Sequence, residues 1–256
     1  MAPFFVHNFL SYLQTEKRYS ENTRLAYERD IIQFLDFSAV NSEVDLKEID
    51  SLLIRGWVVD LMEKEYTKRS VNRKLSTLRS FFKWLKRENV IEVNPMQRVQ
   101  GPKAEKRLPS FARSSDLSTE KLDEVFEDEL EGVRNRLIVE LFYQTGIRLS
   151  ELIDLMNSNI ERDRIKVIGK RNKERVIPIT PTLFEMIEMY RNEHRPHGED
   201  LTYLFMLKSG KKMYPKLVYR IINSYLGLVT NLDTCSPHVL RHTFATHMLN
   251  NGAGLE

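Results

Sequence analysis

Gln100-Gly101-Pro102-Lys103-Ala104-Glu105-Lys106-Arg107-Leu108-Pro109-Ser110 divides the 256-residue chain into two unlike parts. The stretch is polar, punctuated by Gly101, Pro102 and Pro109, and carries no apolar period, as expected of a linker. Charge changes sign across it. Lys64 to Arg107 holds 13 Lys or Arg against 4 Glu, a net of +9, while Leu108 to Glu140 holds 4 basic against 9 acidic residues, a net of −5. The expected organisation is therefore a first domain over 1–100, a linker over 101–115 and a second domain over 116–256. With 41% hydrophobic residues, both parts can build ordinary cores.

Outward from the linker, the first part reads as all helix. Segments near 3–15, 21–38, 51–64 and 68–88 repeat apolar residues at three- and four-residue spacing, with Ser20 and Ser51 as candidate N-caps. The second part mixes helices with a small sheet. Ser118 to Glu131 and Gly132 to Gln144 read as helices, and Ile147 to Met156 restarts after the Thr145-Gly146 break. Arg164 to Ile179 alternates like a hairpin with Lys170-Arg171-Asn172-Lys173 at its tip. Helical patterns return at 181–194 and 213–229, and Ser236-Pro237 opens a last helix.

Plotted at about 100° per residue, the segment from Lys68 to Arg87 has two faces. Val71, Leu75, Leu78, Phe82 and Leu85 form an apolar stripe. Arg69, Arg73, Ser76, Ser80, Lys83 and Arg87 lie opposite, as cations separated by short hydroxyl side chains. Such a face suits DNA phosphates, which bind cations with strong salt dependence. It also suits plain solvation.

Three short segments carry chemistry. In Gln144-Thr145-Gly146-Ile147-Arg148-Leu149-Ser150-Glu151-Leu152 an arginine follows a glycine break at a helix start. Val167-Ile168-Gly169-Lys170-Arg171-Asn172-Lys173-Glu174-Arg175 puts a lysine at a hairpin tip. Ser236-Pro237-His238-Val239-Leu240-Arg241-His242-Thr243-Phe244-Ala245-Thr246-His247 sets His238 and Arg241 three apart on one helix face. Two arginines, a lysine and a histidine suit phosphoryl transfer. Guanidinium forks match the charge that develops on non-bridging oxygens, and lysine and histidine can move protons. Each piece has a duller reading: Arg148 pairing with Glu151, Lys170 as exposed tip charge, His238 as an ordinary helix residue. Cys235, His238, His242 and His247 make a poor zinc set, with a single cysteine and no carboxylate.

At these residues the sequence resembles the tyrosine recombinase (phage integrase) family, most closely its bacterial Xer-type members. The resemblance rests on Thr145 to Leu152, on Ile168-Gly169-Lys170 with Asn172 to Arg175, and on His238 to His247. It extends into the first part through Glu21-Asn22-Thr23, Tyr27, Arg29-Asp30 and the Arg73 to Lys86 helix. It implies a mainly α fold in two domains: a helical core-binding (SAM-like) bundle, and an α-rich catalytic domain with a small antiparallel sheet. Together they would form a C-shaped clamp on double-stranded DNA. It implies that Arg148 and Arg241 hold the scissile phosphate, that His238 is an acid/base partner, and that a tyrosine forms a 3′-phosphotyrosyl link. Arg171 stands where the family usually has glycine, so Lys170, favoured by position, and Lys173 both remain candidates for the general acid. No metal or cofactor is implied. The partner is DNA, with a tetramer on paired sites and in some cases a second recombinase, serving chromosome dimer resolution or mobile-element movement.

In the family a leucine-glycine-histidine box and the tyrosine follow the second arginine box. All ten tyrosines here precede Arg241. The expectation is a C-terminally incomplete catalytic domain, monomeric in solution, that binds DNA without cleaving it. The competing readings are a non-catalytic DNA-binding protein of the same fold and a metal-dependent nuclease. The first has no use for all four catalytic side chains, and the second needs a carboxylate cluster. One cysteine, no run near the roughly 20 apolar residues of a membrane span, and no leader pattern lead to a cytoplasmic expectation.

Overall fold

The computed structural model describes residues 3–40, 42–104, 111–127, 129–169, 173–196, 202–250 and 252. The chain folds as two compact units, Met1–Lys106 and Arg107–Glu256.

The first unit is helical: α1 (Phe4–Thr15), α2 (Glu21–Ser38), α3 (Glu43–Lys47), α4 (Ser51–Glu63) and α5 (Lys68–Arg87), then a 3-10 turn at Pro95–Arg98. Side-chain caps start the helices by satisfying backbone N–H groups that lack intrahelical partners. Ser20 accepts from Thr23 and Thr67 from Ser70. The cap of α4 is Asp50, which accepts from Leu53, rather than Ser51. Asp50 is the stronger acceptor, and Ser51 becomes the first helical residue. The short α3, which apolar periodicity did not reveal, is held by reciprocal bonds between Ser42 and Asp45.

Helix α5 is the centre of this unit. Its expected stripe of Val71, Leu75, Leu78, Phe82 and Leu85 is fully buried, but the buried arc is wider and takes in Phe81, Trp84, Lys74 and Thr77. The width follows from packing against both α2 and α4. Phe81 meets Phe9 edge-on at 5.2 Å, and Phe34 meets Trp57 at 5.1 Å and Phe82 at 6.0 Å. Lys74 is tolerated because Asp30 lies beneath it. The Asp30 carboxylate accepts from both Arg73 Nη1 (2.5 Å) and Nη2 (2.9 Å), from Lys74 Nζ (3.0 Å) and from Thr77 Oγ1 (3.0 Å).

The second unit contains α6 (Thr119–Val125), α7 (Leu130–Thr145), α8 (Leu149–Ile153), α9 (Pro181–Met189), α10 (Pro215–Val229) and α11 (Pro237–Asn250). Its sheet has three antiparallel strands in sequence order: β1 (Ile160–Glu161), β2 (Arg164–Ile168) and β3 (Glu174–Pro178). The expected helix over Ser118 to Glu131 is instead the shorter α6. It ends where Phe126 turns extended and stacks on Tyr225 at 5.3 Å. Gly132 belongs to α7, where a Cβ would lie 1.9 Å from the Glu127 carbonyl oxygen. The β2–β3 hairpin pairs Ile165 with Ile177 and Val167 with Arg175, so Arg175 shares the inward face with Ile177. Among the described residues, no helix is long and apolar enough to cross a membrane.

Candidate active site

The Thr145-Gly146 break is built for a tight turn. Thr145 Oγ1 donates to the Leu141 carbonyl and accepts from the Ile147 N–H. Gly146 follows at φ 57°, a left-handed C-cap whose N–H returns to Phe142. Only glycine fits: a Cβ there would stand 2.4 Å from Cδ1 of Phe244 on α11. The turn puts Arg148 at the start of α8 and Gly146 under α11. Arg241 of α11 donates through Nη1 to the Gly146 carbonyl, so the two arginine segments meet at this turn.

Glu151 lies between them, its side chain 1% exposed. Its Oε1 accepts from Arg148 Nη1 (2.7 Å), and its Oε2 accepts from the Arg148 backbone N–H (2.8 Å) and from Arg175 Nη2 (2.7 Å). Burial pushes the Glu151 carboxyl up, but the bonds from Arg175 and from the backbone and side chain of Arg148 outweigh it, and its pKa falls below the ordinary glutamate range. Arg241 moves down, first through burial and then through the nearby positive charges of Arg148 and Arg175, with Glu151 opposing. Two guanidiniums, those of Arg148 and Arg175, therefore grip one carboxylate, and Arg241, bonded to the Gly146 carbonyl, lies within reach of their charges. The hairpin reaches the same place. The Gly169 N–H donates to the Lys173 carbonyl (2.7 Å), and a Cβ on Gly169 would stand 3.4 Å from Glu151 Oε1 and 3.8 Å from Arg148 Nη1.

His238 sits one turn before Arg241 on α11 and is exposed, as is Lys173. Lys170 falls outside the described residues. Among the described residues, no group of three or more His, Cys, Asp or Glu side chains is placed to hold a metal ion. On α5, Arg69, Ser76 and Lys83 are exposed. Arg73 remains half-exposed while gripping Asp30. Ser76 and Ser80 turn their hydroxyls to the carbonyls of Asn72 and Ser76. Arg87 pairs with Glu16 and Glu88 and lies over the Tyr12 ring at 4.2 Å.

Residues 116–256 match the phage integrase family, and residues 6–89 match the phage integrase N-terminal SAM-like domain. This chain belongs to the phage integrase family. The tyrosine recombinase XerC of Thermodesulfovibrio yellowstonii is 35% identical over 260 residues, covering 98% of this chain and 85% of the relative. XerC of Bacillus subtilis is 35% identical over 266 residues, covering 98% and 84%. The XerH recombinase bound to its palindromic difH substrate in a post-cleavage complex shares the fold, with a TM-score of 0.75 at 17% identity over 98% of this chain and 85% of that one. The phage integrase architecture expected from the sequence, a helical SAM-like domain followed by a helix-rich catalytic domain with a small antiparallel sheet, is the one observed. By kinship this integrase-family chain is a recombinase of the Xer type.

Glu151 and Arg175 were not singled out as functional from the sequence. A signal for each existed. Glu151 stands three residues after Arg148, the spacing at which a carboxylate reaches back to a helix-start N–H. Arg175 stands two residues before Ile177 on a strand and so faces inward. The acid sensitivity of the site follows from Glu151. Its folded pKa is depressed, so the stability it contributes is present above the ordinary glutamate range and is lost as pH falls through the lowered folded value. Glu151→Gln is expected to flatten the fall in melting temperature of the second unit as pH drops below about 4.3. An acid limb superimposable on that of the wild type would remove this account.

Proposed function

We propose that this protein is a site-specific recombinase that cleaves and rejoins double-stranded DNA through a 3′-phosphotyrosyl intermediate, without a metal ion. The grip of Arg148 and Arg175 on the single carboxylate of Glu151, with Arg241 held at the adjoining Gly146 turn, carries this reading. Crowded cations around one anion make a site that gains by admitting a second anion, and a phosphodiester supplies it. Arg148 and Arg241 hold the scissile phosphate, with bidentate forks that stay charged at any working pH. Lys170 protonates the leaving 5′ oxygen, Lys173 being the other candidate. His238, one turn from Arg241, assists proton transfer.

Arg69, Arg73, Lys83 and Arg87 contact backbone phosphates, and Ser76 and Ser80 let that face of α5 come close. Both domains contact the duplex, and four subunits assemble on paired sites, with or without a second recombinase. The role is chromosome dimer resolution or movement of a mobile element.

Selection of bound duplexes from a random pool tests the reading. A consensus sequence is expected, with binding unaffected by chelator. Four phosphate contacts from α5 predict a drop in affinity of about a hundredfold between about 50 and 200 mM salt. Failure to retain any duplex, or loss of binding on adding chelator, would sink the proposal.

A further inference from the structure

We propose that Arg175 is a positioning residue of the phosphate site: it takes the second oxygen of Glu151, gives the cluster its surplus of positive charge, and ties the hairpin arm β3 to α8. The inference rests on the recombinase reading above and adds to it a residue outside the arginine–lysine–histidine set.

The argument begins with charge. Glu151 is buried and ionised, and by itself it would cancel Arg148, with which it pairs at 2.7 Å. Arg148 would then be a poor ligand for phosphate. Arg175 makes an equally short contact, 2.7 Å, with the other carboxylate oxygen. Three guanidiniums against one carboxylate leave a net of +2, where Arg148 and Arg241 against Glu151 would leave +1. A phosphodiester passing through a five-coordinate state carries a developing dianion, and only the larger surplus matches it. The cluster also holds a spare donor: among the described residues, the buried Nε of Arg175 has no hydrogen-bond partner. Orphaned buried donors are rare and call for a ligand or another explanation.

Geometry is the second strand. Arg175 pairs in register with Val167, which is 3% exposed, and shares its face with buried Ile177, so the strand is anchored in the core beside the contact with Glu151. Two residues earlier, the Lys173 carbonyl closes onto Gly169, which itself lies against Glu151 and Arg148. Arg175 therefore fixes where the hairpin that carries the general acid leaves the sheet. Its partner Glu151 in turn orients Arg148. One side chain sets the position of two groups that act on the phosphate.

The test compares the wild-type chain with Arg175→Gln and Arg175→Lys. Inorganic phosphate is the probe, exchanged for chloride at constant ionic strength while melting of the second unit is followed by calorimetry. Phosphate is expected to raise the wild-type melting temperature. Arg175→Gln should bind phosphate about tenfold more weakly, roughly the effect of removing one unit charge from a close cluster at intermediate dielectric. Arg175→Lys, which restores the charge, should recover most of the response. A purely structural arginine would lower the melting point of both variants yet leave the phosphate increment of each equal to that of the wild type, and this would overturn the inference. Duplex retention, measured on the same samples, tells two failures apart. A wild-type chain that ignores phosphate but keeps duplex overturns the role of Arg175 alone. One that keeps neither overturns the recombinase reading with it.

Discussion

Asp30→Ala is expected to unfold the first unit well before the second, with a loss of about 3–5 kcal/mol. The Asp30 carboxylate has no exposure and binds Arg73, Lys74 and Thr77 together. Arg73 can turn to water, since its side chain is half-exposed, but Lys74, 5% exposed, has nowhere to go. The variant leaves an uncompensated buried ammonium whose remaining polar partner is Gln33. Removing one member of a buried pair is costly for that reason, whereas replacing both by apolar groups can be neutral. Asp30→Leu combined with Lys74→Met should therefore recover much of the stability lost in Asp30→Ala. Both tryptophans, Trp57 and Trp84, lie in this unit, so fluorescence during urea unfolding reports on it selectively. At a urea slope of about 2 kcal/mol per molar, the midpoint should drop by about 2 M. A shift equivalent to less than about 1 kcal/mol would mean that Asp30 is not the anchor described.

Gly146→Ala should cost the second unit about 2–5 kcal/mol, from two separable causes. A left-handed backbone at a non-glycine residue costs about 1–2 kcal/mol. A methyl placed 2.4 Å from the Phe244 ring forces α11 or the ring to move, for about 1–3 kcal/mol more. Calorimetry should show a melting point lower by roughly 5–10 °C. Adding Phe244→Ala to Gly146→Ala should remove the collision and leave the backbone cost. The combined cycle distinguishes the two causes. If Gly146→Ala melts within a degree of the wild type, the close approach of the turn to α11 is not as described. The same substitution displaces the carbonyl that anchors Arg241, so phosphate binding should weaken alongside stability.

The fold was legible where a local pattern coincided with a tertiary demand. The α5 stripe and the hairpin alternation both mark faces that packing then buried. Legibility failed where an element was too short to show a period: α3 rests on a cap pair, and β1 contributes two residues beside β2. It failed again at Phe126, where contact with Tyr225, 99 positions along the chain, ends a helix that the local sequence would continue. Lys74 and Thr77 fall within the arc marked by Phe81 and Trp84, which hints at a buried polar partner, but nothing local names Asp30. The candidate site divides the same way. Arg148, His238 and Arg241 stood out through their segments, and the kinship of those segments gave them roles. That Arg148 and Arg175 share one carboxylate, and that Arg241 is held at the turn beside them, depends on three elements meeting. Arg175 looked like one more exposed charge near a hairpin tip until its strand register turned it inward.

The bonds that draw the arginines together span long stretches of chain, and this sets an order in time. Arg241 reaches back 95 positions to Gly146, and the Thr243 hydroxyl takes the N–H of Ala112, 131 positions earlier. Neither can form until α11 has been made. On the ribosome, at about 5–20 residues per second, the first unit is complete many seconds before α11 emerges. During that interval α7 and α8 are present, but the face of the turn that α11 covers is bare. A nascent chain therefore has its basic α5 surface in place before the proposed phosphate site can form. The arginine cluster closes only when α11 arrives.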